Sequence, residues 1–360
     1  MISILEKYKE FLPLNRVSCF DSLGEGNTPL VRSSALGRNT PLFFKMEQLN
    51  PTGSFKDRFA SVETALIKEK GIKTFMATSS GNTGSALAAY SARHGIRCLL
   101  FVNEITPQNK LDQMLVYGAE VFRVKNFGVT NGSSAPIFER LRKLAEECNS
   151  RLVISAYKYS PEGMEGVKTI AYELVEQLGS VPDQVFVPVG GGGLLSAVWR
   201  GFLDMKARKL IDSLPRINAV QPVLNDTVVT PLVENAERAR EVKTTTAISG
   251  LAVQVDIDAS LAVRSVRESA GSGYLVSDED AVSVQEMLSE REGIFVEPAG
   301  AVSAAGYLKA LSLEKIGQDE TAVCVLTGHG LKTAAAGGTT RNKQVKCIGL
   351  SEIVRELVEK

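Results

Sequence analysis

Histidine is nearly missing from this chain: His94 and His329 are the only two among 360 residues. Neither sits in an H-E-x-x-H motif or a Cys/His cluster, so no zinc site is expected. Cysteine is sparse as well, with five residues (Cys19, Cys98, Cys148, Cys324 and Cys347) and no C-x-x-C pair. A dispersed, odd-numbered set in a chain this long reads as reduced, buried thiols of a cytoplasmic protein. An excess of either charge is also lacking, because Lys+Arg and Asp+Glu each number 41. That balance argues against nucleic acid or an anionic membrane as the main partner. No apolar run is long enough to span a bilayer. The N-terminal "MISILEKYKEFLPLN" alternates apolar and charged residues, and lacks the uninterrupted apolar core of a signal peptide.

What is present is the composition of an ordinary globular chain, 44% hydrophobic and 23% charged, long enough to bury a sizeable core. From residue 42 onward, short β-rich runs alternate with longer helical patterns. Strands are expected at 42–46, 74–78, 97–102, 120–124, 151–155, 184–189, 217–220 and 322–327. Helices are expected at 57–70, 82–94, 107–117, 134–148, 194–207, 278–291 and 299–312. Nearly all-apolar strands separated by helices indicate parallel sheets covered on both faces. In such α/β folds ligands bind beyond the carboxyl ends of the strands, so the loops that follow strands are where chemistry is expected. The segment 221–250, with Pro222, Pro231 and Thr244-Thr245-Thr246, is the least regular. It reads either as a surface excursion or as part of an active-site wall. A further helix is expected at 350–359, ending a small C-terminal appendage.

Four of these loops carry unusual residues. "NPTGSFKDR" (50–58) sets Lys56 at a helix start, where the positive end of the dipole lowers an ammonium's pKa. That suits a nucleophilic amine; the alternative is a solvated lysine beside Asp57. "TSSGNTG" (78–84) places Ser79, Ser80, Asn82 and Thr83 between a strand and a helix, either to bind a carboxylate or as a polar cap with Ser80 or Asn82 at its head. "VPVGGGGLL" (187–195) has four consecutive glycines, Gly190 to Gly193, whose backbone amides could wrap a phosphate. It is neither a Walker loop nor G-x-G-x-x-G, since Ser196 falls where the third glycine should be. ATP and dinucleotides are therefore disfavoured, while a monophosphate ester suits it. "LTGHGLK" (326–332) brings Thr327 and His329 to the end of an apolar strand. An amine, an anion loop, a phosphate cradle and a hydroxyl loop together are what pyridoxal 5′-phosphate requires.

The ordered set "GEGNTPL" (24–30), "NPTGSFKDR", "SSGNTG", "GGGG", "GIFVEPAGA" (293–301) and "TGHGLK" resembles the fold-type II pyridoxal-phosphate enzymes, the tryptophan-synthase β-like superfamily. Within it the chain is most similar to threonine synthases. The resemblance implies two doubly wound open-sheet α/β domains with the active site in the cleft between them, usually in a homodimer. It implies a large cofactor-binding domain of residues 1–50 and 158–360, and a smaller α/β domain of 51–157. Lys56 would be the Schiff-base lysine, with Phe55 packed beside the cofactor. Asn82 would bind the ring hydroxyl, Gly190, Gly191, Gly192 and Gly193 the phosphate, and Thr327 would face the pyridine nitrogen. Ser79, Ser80 and Thr83 would hold the substrate carboxylate. A neutral hydroxyl at the pyridine nitrogen suits elimination and replacement better than transamination.

Two features depart from that pattern. Threonine synthases usually carry an R-x-E-G-x-K-T run whose arginine helps bind the substrate phosphate; here "GMEGVKT" puts Gly163 in its place. Lys158 is the candidate to compensate. The "GGGGL" and "EPAGA" segments look more like the serine/threonine dehydratase branch. The leading expectation is threonine-synthase-type chemistry on O-phospho-L-homoserine. The alternatives are β- or γ-replacement on another activated amino acid, a dehydratase releasing ammonia, or a catalytically inactive regulatory protein.

Overall fold

The computed structural model describes residues 3–16, 21–37, 40–127 and 134–333. Its strands are β1 Leu30–Arg32, β2 Leu42–Lys45, β3 Thr74–Ala77, β4 Arg97–Asn103, β5 Glu120–Val124, β6 Leu152–Val153, β7 Gln184–Pro188, β8 Arg216–Pro222, β9 Gly273–Val276 and β10 Ala322–Val325. They form a six-stranded sheet, β1-β2-β10-β7-β8-β9, and a four-stranded sheet, β5-β4-β3-β6. Every pairing is parallel except β1 with β2. The longer helices are α1 Lys56–Glu69, α2 Asn82–His94, α3 Gln108–Val116, α4 Ser134–Glu147, α5 Thr169–Leu178, α6 Gly193–Ala207, α7 Ala259–Glu268, α8 Asp278–Glu292 and α9 Pro298–Ser312. The expected α/β class with parallel sheets is the observed one.

Residue type explains the layering. The central strands β7 and β10 are buried at every position, as sheets with helices on both faces require. The edge strand β5 is exposed or half-buried throughout. Two apolar clusters form the core, one around Phe59, Phe75, Leu87 and Phe202, the other around Phe44, Phe186, Val302 and Tyr307. The first joins α1 and β3 to β7 and α6, so both sheets lean on α1, which is buried from Asp57 to Ile67.

Beneath α1 lies a fully buried ion cluster. Arg58 donates from Nε and Nη2 to Glu47 at 2.8 and 2.7 Å, and from Nη1 and Nη2 to Glu173 at 2.8 and 2.7 Å. Lys45 of β2 donates to Glu173 Oε2 at 2.6 Å, Thr28 O at 2.8 Å and Gln177 Oε1 at 2.9 Å, using all three ammonium hydrogens. Burial alone raises the Glu173 carboxyl, but Arg58 and Lys45 outweigh it and hold it at about 2.

Several elements were not expected. Strands β1 and β9 are short, and β1 is an antiparallel edge with no buried residue. Helices α5 and α7 fall where no helix was foreseen. Of the cysteines, Cys98 and Cys324 are buried free thiols, whereas Cys148 is exposed because it lies just past the end of α4. Cys19, Cys347 and the expected helix at 350–359 lie outside the described residues. Among the described residues no helix is long and apolar enough to cross a membrane.

Candidate active site

A cavity of about 950 Å³ opens between the two sheets and takes its walls from loops that follow β3, β6, β7 and β10. Phe55, Lys56, Ser79, Ser80, Asn82, Thr83, Gly190 to Gly193 and Thr327 all line it. Residues that are more than a hundred positions apart in the chain thus meet in one space.

Lys56 is the first residue of α1, and its Nζ donates to Ser155 Oγ at 2.8 Å. It stands 4.6 Å from the centroid of the Phe55 ring and makes no ion pair among the described residues. Burial pushes its amine down to about 8, against the opposing charge of Asp258. The solvated-lysine alternative is not what is seen. Asp57 turns away, its Oδ2 accepting from Thr52 N at 3.2 Å and Thr52 Oγ1 at 2.9 Å. Burial raises Asp57 to about 7, so it is a weak counter-charge for any neighbour.

The loop 78–84 leads into α2, whose N-cap is Gly81 with no side-chain cap. Neither Ser80 nor Asn82 serves as the cap, which corrects that reading. Ser79 Oγ instead accepts from Gly81 N at 3.3 Å and Gly84 N at 3.2 Å, bracing the turn. Thr83 Oγ1 shares a 2.9 Å hydrogen bond with Ser155 Oγ, so Lys56, Ser155 and Thr83 form a chain across the cavity. Asn82 reaches Glu297 Oε2 at 2.8 Å. Thr78 Oγ1, buried in the wall, has no hydrogen-bond partner.

The glycine loop ends at Gly192, which caps α6 with φ +96°. A side chain there would be strained, and its Cβ would also lie 2.4 Å from Asp258 O. The loop is tied down by Asp258, whose N–H donates to Gly191 O at 2.9 Å. A strand, a glycine turn and a helix N-terminus in this order leave N–H groups free for an anion.

Lys158 is the expected site residue that the structure does not bring in. The Asp258 carboxylate accepts from Tyr157 N at 2.7 Å and Lys158 N at 3.1 Å, which fixes this corner by its backbone. The Lys158 residue is exposed, and its Nζ lies 5.7 Å from the Tyr159 ring. Gly163 does not line the cavity either: a Cβ there would sit 2.3 Å from Glu63 Oε2 and 2.9 Å from Phe59 Cε2. Any longer side chain at 163 would collide with α1. The lysines that do line the cavity beside Lys56 are Lys110 and Lys332. Lys332 donates to Thr52 O at 2.8 Å and Gln113 Oε1 at 2.7 Å, and Lys110 to Ser249 Oγ at 2.8 Å. Ser249 and Gly250 also settle the irregular segment: its end is cavity wall. Ser155, Asp258 and Glu297 were not foreseen, and only Glu297 lay in a motif that stood out.

The profile of a family described as "Pyridoxal-phosphate dependent enzyme" matches residues 22–328. The chain is 37% identical over 350 residues to a threonine synthase of Methanocaldococcus jannaschii, covering 94% of this chain and 83% of that one. It is 36% identical over 333 residues to a threonine synthase of Halalkalibacterium halodurans, covering 91% and 89%. Among solved structures, the processed form of threonine deaminase isoform 2 from Solanum lycopersicum superposes with a TM-score of 0.71. At 22% identity, over 92% of this chain and 83% of that one, it speaks for the fold alone.

Proposed function

This chain belongs to the pyridoxal-phosphate dependent enzyme family, and we propose that it converts O-phospho-L-homoserine and water to L-threonine and phosphate. The observation that carries the chemistry is Lys56: a buried amine without a counter-ion, inside a cavity walled by a glycine loop and a helix N-terminus. The choice of reaction rests on the similarity to threonine synthases.

The residues present fit pyridoxal phosphate. The backbone of Gly190–Gly193, closed against Asp258, has room for an anion and none for side chains at Gly192. The orphaned Thr78 hydroxyl offers a further polar group at the cavity wall. When bound, the cofactor supplies an electron sink for charge developing at the substrate's α-carbon.

The chain's own residues divide the remaining work. Lys56 would hold the cofactor through Nζ, and burial keeps its amine, when free, at about 8, a value suited to taking and returning substrate protons near neutral pH. Gly190 to Gly193 and the start of α6 bind the phosphate. Asn82 holds the ring hydroxyl oxygen, Phe55 packs alongside, and Thr327 offers a neutral hydroxyl to the pyridine nitrogen. Ser79, Ser80 and Thr83, at the start of α2, hold the substrate carboxylate. Lys110 and Lys332 meet the phosphate on the substrate side chain, in place of Gly163 and Lys158. We read the chain as a cytoplasmic homodimer, with 51–157 as the smaller domain. The buried free thiols Cys98 and Cys324 support a reducing compartment.

A replacement reaction on another activated amino acid is the second reading, favoured by the lack of an arginine in the cavity lining among the described residues. A product assay separates the two. O-phospho-L-homoserine should yield threonine and inorganic phosphate. If it yields neither, while O-acetylserine or O-phosphoserine turns over with an added nucleophile, the second reading replaces the first.

A further inference from the structure

The motif at 293–301 lines the cavity with Glu297 and Ala299, and Glu297, its charged member there, is used by none of the steps above. Glu297 caps α9. Its N–H donates to Gly328 O at 2.8 Å, just after Val296 pairs with His329 in an isolated bridge. Its Oε2 accepts from Nδ2 of Asn82 at 2.8 Å. The pair is tightly covered: a Cβ at Gly328 would lie 2.0 Å from that oxygen and 3.1 Å from Asn82 Nδ2. The loop bearing Thr327 therefore lies flat on the Asn82–Glu297 contact.

An amide side chain can present either N–H or C=O to a neighbour, and the two orientations are nearly isosteric. An ionised carboxylate only accepts. Glu297 therefore admits the orientation in which Asn82 turns Nδ2 toward it, and the second hydrogen on Nδ2 remains for a ligand on the same edge. Burial raises the Glu297 carboxyl above its ordinary value, and the Asn82 hydrogen bond with the charges of Lys332 and Lys110 offsets this only in part; the 2.8 Å contact from Asn82 Nδ2 is what marks its Oε2 as an acceptor. Both lysines line the cavity, Lys110 from α3 and Lys332 from the loop after β10.

We propose that Glu297 is a positioning residue that locks the Asn82 amide with its N–H edge toward the cofactor's ring oxygen. It acts through Asn82 and not on the reacting atoms. This inference rests on the reading of Asn82 as the ring-oxygen ligand, so the experiment must be able to fail each separately.

The test uses the full chain loaded with pyridoxal phosphate, comparing wild type with Glu297→Gln, Glu297→Asp and Asn82→Ala. The readouts are the pH midpoint of the visible absorbance band and the dissociation constant of the cofactor. Glutamine keeps the shape but can donate, so it releases the constraint. Glu297→Gln should raise the midpoint by about half a pH unit or more, because the ring oxygen loses part of its donor. Cofactor binding should weaken roughly tenfold. Glu297→Asp, still an acceptor, should fall between wild type and glutamine, and Asn82→Ala should shift both readouts at least as far. If Asn82→Ala shifts both and Glu297→Gln shifts neither, the Glu297 proposal is overturned and the Asn82 reading stands. If Asn82→Ala shifts neither, both are overturned. Should Glu297→Gln fail to fold by circular dichroism, Glu297→Asp decides, and wild-type values there overturn the proposal.

Discussion

Lys45, fully buried, and Lys56, half-buried at the cavity wall, stand at opposite ends of the connection between β2 and α1, and they are treated in opposite ways. Lys45 fills all three of its ammonium hydrogens with Glu173, Thr28 and Gln177. Lys56 has one neutral partner, Ser155. Burial lowers the pKa of both, but Glu173 opposes the effect at Lys45, whereas only the charge of Asp258 does so at Lys56. A buried lysine with a carboxylate at hydrogen-bonding distance holds a fold together. One without it is kept reactive. The contrast assigns stability to one end of the connection and chemistry to the other.

The largest effect that could break this contrast is in turnover. Lys56→Ala should lower kcat by at least about a thousandfold, while the apo protein's urea stability at neutral pH does not fall below wild type, because removing the amine also removes the burial penalty on its charge. Turnover near wild type would place both lysines in one class. Lys45→Met should do the reverse, costing about 3–5 kcal/mol in urea unfolding because it strips a partner from a buried carboxylate. Its folded fraction should still take up cofactor with the wild-type absorbance band. Gly192→Ala should touch the cavity end only, weakening cofactor binding roughly tenfold through backbone strain and leaving the ion cluster intact.

The pH dependence of apo stability sharpens the same comparison. Glu173 titrates at about 2 when folded, below its ordinary 4.5. Its stabilisation is complete above 4.5 and is lost as pH falls toward 2. Lys56 titrates at about 8 when folded, below its ordinary 10.5. Between those values the unfolded chain binds more protons, so stability should rise with pH from about 8 to 10.5. Lys56→Met should abolish the alkaline rise and keep the acid loss, read from urea midpoints across the pH range. The smallest expected effect is at the exposed Lys158, where alanine should change kcat/KM by less than about twofold.

Much of this was legible in the chain because the relevant signals are local. Apolar runs such as 184–189 and 322–327 declare buried parallel strands, and glycine and hydroxyl residues directly after them mark ligand loops. Strand β1 gave no such signal, being three residues with a half-buried and exposed pattern. The partners of the two lysines were also invisible, since Lys45 meets Glu173 and Lys56 meets Ser155 only through the fold. Glu297 lay in a motif that stood out, yet its contact with Asn82 spans two separate segments. Lys158 was hard to place for the same reason: the carboxylate of Asp258, a hundred residues away, helps fix which way that corner turns.

Reduction of the cofactor-loaded protein with borohydride, followed by peptide mapping, tests the assignment of chemistry to Lys56 most directly. The account predicts a pyridoxyl adduct on the peptide containing Lys56 and none on the peptide containing Lys45. An adduct on Lys45 or another lysine, with Lys56 unmodified, would contradict it.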